Sequence, residues 1–299
     1  MKLDSFIRYS ACPVCGSLAI TDKFTVRDYT VTNREFPVAE CSECTLRFTQ
    51  DIPDAEAIAA YYKSENYISH SDTSRGLINS IYKIVRKRTL RQKRKLIEQV
   101  TGKESGDLLD YGSGTGAFLN EMEVAGWRGT GLEPDNGARK VANDLYGLLL
   151  RDTDELFDMP GRYDIITLWH VLEHVHELHA TMAQLKKLLA EKGRLLIAVP
   201  NYTCYDEKAY DGYWAAYDVP RHLYHFSPVS MNRLADKHGL TIREYKPMWF
   251  DSFYVSLLSS KYKNGKTNWP GAVWTGLRSN LNARRDVKKC SSVIYVISR

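Results

Sequence analysis

The chain has no long apolar run: nowhere do about 18 consecutive apolar residues occur, the length that a membrane-spanning helix requires. Its first ten residues, MKLDSFIRYS, also lack the apolar segment of a secretory signal. From these two absences we expect a soluble protein of the cytoplasm with no membrane span.

A strong charge imbalance is also absent, and cysteines are scarce over most of the chain. The formal net charge is +5 over 299 residues, which permits anionic partners without requiring them. Only two cysteines, Cys204 and Cys290, lie beyond residue 44, and we interpret them as ordinary thiols. With 43% hydrophobic residues, the chain is long enough for one large core and a smaller module.

The remaining four cysteines form two CxxC pairs separated by 25 residues. Paired CxxC turns bring four thiolates to the corners of a tetrahedron, which suits a structural Zn²⁺ ion. Because about fifty residues bury little core, the metal would supply much of the folding free energy. Disulfides, a redox CxxC or an iron–sulfur cluster are the alternatives for these thiols. The sequence thus predicts a zinc-ribbon-like module over residues 1–50, with the ligands Cys12, Cys15, Cys41 and Cys44.

A helical connector is predicted over residues 51–104, with its second helix at 77–100. Eight of the thirteen residues from 83 to 95 are Lys or Arg. A solvated helix face explains such a run. The alternative is an anion-binding surface for nucleic acid, a phosphorylated substrate or lipid headgroups.

The most informative stretch is the string DYGSGTG at residues 110–116, where an apolar strand runs into three glycines and then into a helix-like segment. Glycine has no Cβ, so this turn can adopt positive φ and bring its N–H groups against a carboxylate or phosphate. Nineteen residues after Gly114, Glu133 ends a second strand-like run, where a carboxylate can accept hydrogen bonds from both ribose hydroxyls. Together the two features predict a nucleoside pocket.

Four segments follow one another in the order DYGSGTGAFL, GLEPD, RYDIITLWHVLEHV and RLLIAVPN. The loop reads GxGxG, whereas dinucleotide-binding enzymes favour GxGxxG. In motif and spacing, the chain resembles the class I S-adenosylmethionine-dependent methyltransferases from about residue 105 onward. The resemblance implies S-adenosylmethionine as cofactor and a methyltransferase domain over residues 105–299, with a substrate-side insertion at 201–227.

In that family the glycine loop holds the methionine part of the cofactor and the acid after the second strand holds the ribose. Residues after the third and fourth strands hold the adenine. An N-terminal helix often folds over the cofactor, which makes Tyr67 either a lid contact or a core residue. Carried over to this sequence, the resemblance gives the cofactor residues Asp110, Gly112, Ser113, Gly114, Gly116, Phe118, Glu133, Pro134, Asp152, Thr153, Trp169, His170 and Tyr67.

Beyond residue 105, strands alternate with helices of about ten residues, a pattern typical of βαβ crossovers and a parallel sheet. The methyltransferase family adds a final antiparallel strand, which SSVIYVIS at residues 291–298 fits. The expected fold class is therefore α/β, with a doubly wound, Rossmann-like sheet of seven strands and a small N-terminal zinc ribbon. The predicted strands are 107–111, 129–133, 147–151, 163–169, 194–199, 241–245 and 293–297.

The string HVLEH at residues 170–174 also matches the inverted zinc-protease signature, whose two histidines share one helix face. Here His170 ends a strand at the carboxyl edge of the predicted sheet, where doubly wound folds bind ligands. We therefore expect no metallohydrolase. His174 is then either a catalytic residue or a structural residue at a helix start.

The insertion at residues 201–227 is rich in aromatic residues, with six tyrosines and one tryptophan. Such density favours an apolar pocket wall with polar tips, suited to a small ligand or a sugar. The resemblance places this insertion over the methyl group of the cofactor. His222 and His225 are the candidates for a catalytic base or an orienting group, and Arg221 for an acidic group of the acceptor. In the alternative interpretation, both histidines brace the loop.

Three functions are open at this point. The first is methyl transfer to a small molecule, a sugar or a lipid precursor; the order of zinc ribbon and methyltransferase core also resembles the sugar C-methyltransferases of deoxysugar pathways. The second is methylation of RNA or other nucleic acid, with the ribbon and the basic helix on phosphates, although no aromatic residues interleave with the basic run as in a stacking platform. The third is a cofactor-binding scaffold without turnover. No motif specifies the acceptor atom or the oligomeric state.

Overall fold

The computed structural model describes residues 6–62 and 77–299, with side chains in the second range described from residue 87. These residues belong to two compact units. Tyr67, the predicted lid residue, lies outside the described residues. Unit 1 is built from Met1–Ser71, Leu172–Leu178 and Ala198–Tyr295, and unit 2 from Asp72–Val171, His179–Ile197 and Val296–Arg299.

The N-terminal part of unit 1 is a small antiparallel structure. Strand β2 pairs with β3, and β3 pairs with β4, while the two-residue strands β1 and β5 pair with each other. Phe36, Val38 and Phe48 are fully buried, so alternate residues of the two central strands face the core of the unit. The strands are β1 Phe6–Ile7, β2 Ile20–Arg27, β3 Glu35–Cys41, β4 Arg47–Thr49 and β5 Ile52–Pro53.

Unit 2 carries the alternating strands and helices. Two of its helices have well-defined ends. Gly116, in the left-handed conformation, precedes the helix Ala117–Val124. The Asp135 carboxylate accepts a hydrogen bond from the Ala138 N–H at the start of the helix Asn136–Tyr146, and left-handed Gly147 ends that helix. The elements are α1 Leu77–Thr101, β6 Asp107–Tyr111, α2 Ala117–Val124, β7 Arg128–Leu132, α3 Asn136–Tyr146, β8 Tyr163–Trp169, α4 Leu178–Leu188 and β9 Leu189–Pro200.

The rest of the chain runs from the predicted insertion to the last strand. Ser227 and Ser230 form a reciprocal cap at the start of α6, which fixes where the insertion ends. The elements are α5 Tyr205–Tyr210, β10 Tyr224–His225, α6 Pro228–Lys237, β11 Thr241–Pro247, α7 Asp251–Asn264, α8 Trp269–Arg285 and β12 Ser292–Ser298.

The main sheet has six strands in the order β11-β12-β9-β8-β6-β7. Strand β6 pairs in parallel with both β7 and β8, which confirms the predicted doubly wound α/β class. The predicted strand at residues 147–151 is reduced to a single parallel bridge between Leu132 and Arg151. Two backbone hydrogen bonds, from Glu133 N to Arg151 O and from Arg151 N to Gly131 O, hold the chain at that edge.

The aromatic insertion is packed into the core of unit 1. Trp214 and Tyr217 are essentially fully buried, in one cluster with Phe36 and Val38 of the N-terminal strands. Strand β10 of the insertion also joins the N-terminal sheet, because it pairs antiparallel with β4. The predicted zinc-ribbon module and the predicted insertion therefore share one sheet and one core.

Among the residues that the structure describes, no helix has both the length and the apolar character needed to cross a membrane.

Candidate functional site

The glycine loop follows β6 in unit 2, and all three glycines have positive φ, of 79°, 54° and 76°. A Cβ on Gly112 would lie 2.4 Å from Val171 Cγ2, and one on Gly116 would lie 2.8 Å from Leu148 Cδ1. Among the residues that the structure describes, none has an atom within 4 Å of a Cβ placed on Gly114. The first and third glycines are thus required by packing, whereas Gly114 borders open space where a ligand can approach the backbone.

Glu133 directly follows β7 and is 9% exposed. Its Oε2 accepts a hydrogen bond from the Gly114 N–H at 2.8 Å, and its Oε1 accepts from the Asp135 N–H at 3.1 Å. Burial raises the pKa of Glu133, while these two N–H groups oppose the rise. Since two carboxylate oxygens have about four acceptor positions, Glu133 retains capacity for ribose hydroxyls.

Asp110 anchors the end of β6 beneath the loop. It is 1% exposed, and its Oδ1 accepts from the Thr167 hydroxyl at 2.7 Å. The Ser113 hydroxyl donates to the Asp110 carbonyl at 2.8 Å, which closes the first turn of the loop. Burial raises the pKa of Asp110 to about 6, although the Thr167 hydroxyl acts in the opposite direction.

Phe118 and Trp169 form an aromatic pair in the same unit. Their ring centroids lie 5.5 Å apart at an interplanar angle of 75°. The Lys93 ammonium lies 4.1 Å from the Trp169 ring centroid, which places a cation on the ring face. Sequence reasoning missed this role of Lys93, because nothing distinguishes it within the basic run. His170, next to Trp169, has a positive φ of 59°, a strained conformation common at ligand sites.

Asp152 and Thr153 follow the parallel bridge at the sheet edge, where Asp152 caps a short 3₁₀ helix, Thr153–Asp158. Arg139 donates at 2.7 Å to Asp152 Oδ2 and also to the Glu133 carbonyl, and so connects the predicted ribose and adenine residues. Partial burial would raise the pKa of Asp152, but hydrogen bonds from Arg139 and the Asp154 N–H, with the charge of Arg139, together lower the net pKa. Pro134 is exposed beside Glu133.

The four predicted metal ligands come together in unit 1. The sulfur atoms of Cys12 and Cys44 are 3.5 Å apart, those of Cys15 and Cys41 are 3.6 Å apart, and all four lie within 4.8 Å of one another. Zn–S bonds of about 2.3 Å in a tetrahedron separate sulfurs by about 3.8 Å, so the tetrad fits a zinc ion. A hydrogen bond with Cys44 lowers the pKa of Cys12 to about 5, while the pKa of Cys44 is raised.

His174 and His222 pack against each other in unit 1, with ring centroids 4.6 Å apart. Nδ1 of His174 lies 2.9 Å from the Arg221 carbonyl and 3.0 Å from the Tyr62 hydroxyl, and Nδ1 of His222 lies 2.8 Å from the Ala216 carbonyl. A carbonyl only accepts, so each Nδ1 carries a proton. In the neutral form of each ring, Nε2 is therefore the nitrogen that is able to take a proton.

Burial, and next the charge of His222, lower the pKa of His174 to about 4. His174 is therefore neutral near pH 7. Buried Glu173 adds a carboxylate: one donor atom each of Glu173, His174 and His222 lie within 4.8 Å of one another. Two imidazoles oriented by backbone carbonyls and one carboxylate suit proton transfer, and divalent metals use the same donor set.

His225 has a different setting, in strand β10. It is 3% exposed, and its Nε2 lies 3.1 Å from the Thr49 hydroxyl, which itself donates to the His222 carbonyl. Because that hydroxyl proton is used, His225 Nε2 donates to the Thr49 oxygen. Burial lowers the pKa of His225. These contacts favour the interpretation in which His225 braces the loop, and its catalytic role stays a prediction.

Arg221 is fully buried, and its guanidinium is engaged by the protein. It contacts the carboxylates of Asp28 and Asp218 and donates to the Tyr61 carbonyl. Burial would lower the pKa of Arg221, but the two carboxylates raise it. We therefore assign Arg221 to the framework of unit 1 instead of to the acceptor.

The zinc-protease geometry is absent from the HVLEH string. His170 follows the end of β8, and His174 belongs to a three-residue 3₁₀ turn, Leu172–His174, so the two histidines do not share a helix.

Three comparisons with known proteins bear on this arrangement. A family model described as a methyltransferase domain matches residues 82–245. An uncharacterized methyltransferase of Bacillus cytotoxicus is 30% identical over 121 residues, which cover 39% of this chain and 56% of that protein. A similar protein of Bacillus cereus is 28% identical over the same shares. The chain thus spans about half the length of the curated relatives it matches.

Among solved structures, the chain resembles the magnesium protoporphyrin IX methyltransferase of Synechocystis PCC 6803 with bound SAH. The TM-score is 0.53 at 14% identity, and the match covers 82% of this chain and 100% of that one. This likeness concerns the fold. The family model, which matches more than half of the chain, confirms the methyltransferase family predicted from the glycine loop and the motifs that follow it.

Proposed function

We propose that this chain, which belongs to the methyltransferase-domain family, transfers a methyl group from S-adenosylmethionine to a small-molecule, sugar or lipid-precursor acceptor. The observation that carries the proposal is the pairing of the Gly114 N–H with the buried Glu133 carboxylate beside an open position on the loop. A nucleoside and an amino-acid moiety are recognised by such a pair. The SAH bound in the structurally similar methyltransferase from Synechocystis supports the choice of cofactor.

The residues proposed to hold S-adenosylmethionine are those of unit 2. The loop from Gly112 to Gly116 would take the methionine part and Glu133 the ribose. Asp152, Thr153, Trp169 and His170 are proposed for the adenine. When bound, S-adenosylmethionine supplies a methyl group carried by a sulfonium sulfur, so the protein has mainly to align an acceptor and remove its proton.

The proposed proton acceptor is Nε2 of His222. Its Nδ1–H donates to the Ala216 carbonyl, which keeps Nε2 unprotonated in the neutral ring. His174 lies against it in the same tautomer, held by the Arg221 carbonyl. His174 would then be a positioning residue for His222, and its low pKa keeps it from adding a second charge.

Zinc in the cysteine tetrad is proposed as structural. The S···S distances within the tetrad support zinc binding. The strands next to the tetrad, β3 and β4, belong to the sheet that β10 joins. We also propose the cytoplasm as the location, because reducing conditions keep four metal-binding thiols from forming disulfides.

The test is isothermal calorimetry with S-adenosylmethionine on Glu133→Gln. A glutamine presents one oxygen and one NH₂ group to the two backbone N–H groups and lacks the charge, so we expect binding to weaken by about 1.5–3 kcal/mol. The control is Glu191→Gln, an exposed acid of the same unit, which should bind as the parent does. Unchanged affinity of the Glu133 variant would contradict the cofactor site.

Turnover is tested by incubating the protein with S-adenosylmethionine labelled in its methyl group and a small-molecule extract of the source organism. A labelled product that depends on His222 supports the proposal. Cofactor binding with no S-adenosylhomocysteine formed from any extract would identify a scaffold without turnover.

The alternative substrate is a nucleic acid. It is favoured by four exposed cations on helix α1, Lys87, Arg88, Arg91 and Lys95. Two other cations of the run face the protein instead: Lys93 lies on the Trp169 ring, and Arg94 pairs with Glu98 and Glu121. RNA binding whose log affinity falls steeply with log salt would support this alternative.

A further inference from the structure

Helix α8 reverses the usual arrangement of a surface helix. Its buried face consists of small residues, with Gly276 so close to α7 that a Cβ on it would lie 2.7 Å from Phe253. Ser279, on the same face, donates to the buried Asp206 carboxylate at 2.6 Å. The buried residues of α8 are Ala272, Gly276, Ser279 and Ala283.

The opposite face of α8 exposes its large apolar side chains. Trp269, Val273, Leu277 and Leu281 recur every four residues and so form a row along the helix, and Trp274 lies three residues before Leu277, beside that row. Trp269 is 58% exposed, Val273 42%, Trp274 63%, Leu277 45% and Leu281 57%. A globular helix ordinarily turns its large apolar residues inward, so this outer face has the composition of a surface that is covered by something else.

Large aromatic side chains are also exposed at the start of helix α7, in the same unit. Trp249, Phe250 and Tyr254 are 38%, 38% and 49% exposed. We name the outer faces of α7 and α8 the aromatic hairpin, defined by Trp249, Phe250, Tyr254, Trp269, Val273, Trp274, Leu277 and Leu281. Tryptophan and tyrosine are the residues that favour the boundary between water and lipid.

The charges near the aromatic hairpin are mostly positive, although the acid Asp251 lies in the first turn of α7. Between residues 261 and 289 there are eight Lys or Arg and one acid, Asp286, so this segment carries +7 in a chain whose total is +5. All eight cations are exposed. They are Lys261, Lys263, Lys266, Arg278, Arg284, Arg285, Lys288 and Lys289.

We propose that the aromatic hairpin docks the protein on an anionic lipid surface. Exposed tryptophans and leucines of an amphipathic helix enter the interfacial layer of a bilayer, while the cations beside them contact acidic headgroups. A second protein chain would cover the apolar face, but it does not explain why residues 261–289 have a net charge of +7. A nucleic acid would suit the cations, but its sugar–phosphate backbone leaves the aliphatic residues Val273, Leu277 and Leu281 in water.

The experiment is vesicle flotation of the full chain without cofactor. We expect binding to phosphatidylcholine vesicles that contain about 30% phosphatidylglycerol, and little binding to phosphatidylcholine alone. The variant Trp269→Ser/Trp274→Ser should bind the anionic vesicles about tenfold or more weakly, because it removes the largest interfacial side chains. The variant Arg284→Glu/Arg285→Glu should lose most of the preference for anionic lipid and its sensitivity to salt.

The matched control is Leu18→Ser/Val124→Ser, which removes two apolar side chains, 79% and 81% exposed, that lie outside the hairpin. This control should float as the parent does. Each variant is also tested for S-adenosylmethionine binding by calorimetry, since retained affinity shows that the fold is intact and separates this proposal from the proposed function.

Three results would overturn the proposal. The first is failure of the parent to float with anionic vesicles, or equal flotation with neutral ones. The second is a dimer in light scattering that the Trp269→Ser/Trp274→Ser variant converts to a monomer, which would assign the face to a second copy. The third is binding of single-stranded RNA that is tighter than vesicle binding and is lost in the arginine variant.

Discussion

At the scale of single residues, the three loop glycines have different structural roles, although the sequence does not distinguish them. Gly112 and Gly116 lack a Cβ because Val171 and Leu148 occupy that space, whereas Gly114 lies against open space. The sequence predicted the positive φ of the turn, since only glycine adopts it without strain. Which of the three leaves room for a ligand depends on side chains far along the chain.

Substitution of Gly114 separates binding from folding. Gly114→Ala places a methyl group in the open space and strains a residue with φ 54°, and we expect cofactor affinity to fall about tenfold or more with stability lowered by about 1 kcal/mol. Gly147→Ala is the matched control, because Gly147 has φ 71° and also has open space at its Cβ position. It should lose similar stability and keep its affinity in calorimetry. Equal affinities for the two variants would place the ligand elsewhere.

Asp110 predicts a pH dependence of stability. Its pKa is raised to about 6 in the folded protein by burial, so the folded state binds the proton more tightly than the unfolded state. Protonated Asp110 therefore contributes to the free energy of unfolding. This contribution is fully present below pH 3.8 and is lost as the pH rises through about 6. Asp110→Asn should raise the free energy of unfolding by up to about 3 kcal/mol at pH 7 and by little at pH 4. Urea denaturation at the two pH values checks this, and an equal gain at both would contradict it.

At the scale of elements, the two-residue strand β10 connects two parts of the chain that the sequence analysis treated separately. Its pairing with β4 attaches the insertion at 201–227 to the predicted zinc ribbon. A pairing of two residues leaves almost no periodic signal, so no sequence pattern predicted it. The same pairing explains why His225 is buried against Thr49.

Removal of the metal tests this connection. We expect one zinc per chain by native mass spectrometry and none in Cys41→Ser, whose thiolate is lost. In hydrogen exchange, the variant should lose amide protection in β3 and β4 and also at Tyr224 and His225, since those residues pair with β4. The control is Cys290→Ser, a buried cysteine outside the tetrad, which should keep its zinc.

Two other results would change the assignment. Two metals per chain in the parent would assign the second to Glu173, His174 and His222. Full protection of the N-terminal strands without metal would contradict the structural role of zinc.

At the scale of the whole molecule, chain order and folded organisation differ. Residues 172–178 and 198–295 belong to one compact unit with the N-terminal residues, while the loop glycines and Glu133, which are proposed to hold the cofactor, belong to the other. The predicted boundaries at residues 50 and 104 stay predictions. The formal charge is also uneven, because residues 261–289 carry more positive charge than the chain as a whole.

The sequence by itself determined the features that depend on neighbours in the chain. These are the glycine turn, the acid after the second strand, the alternation that builds the doubly wound sheet, and the cysteine spacing. Each reflects local backbone geometry or a short repeat, which a sequence displays directly.

Only the tertiary structure decided how distant polar and aromatic groups are used. Arg221 pairs with Asp28, 193 residues away, so it belongs to the framework of unit 1. From the sequence it was instead a candidate to bind an acidic group of the acceptor. Trp214 and Tyr217, expected in a pocket wall, lie in the core of unit 1, and the large residues of α8 lie outside. The partner of a polar group and the inner face of a helix are set by packing between segments that are remote in sequence, and composition alone does not specify that packing.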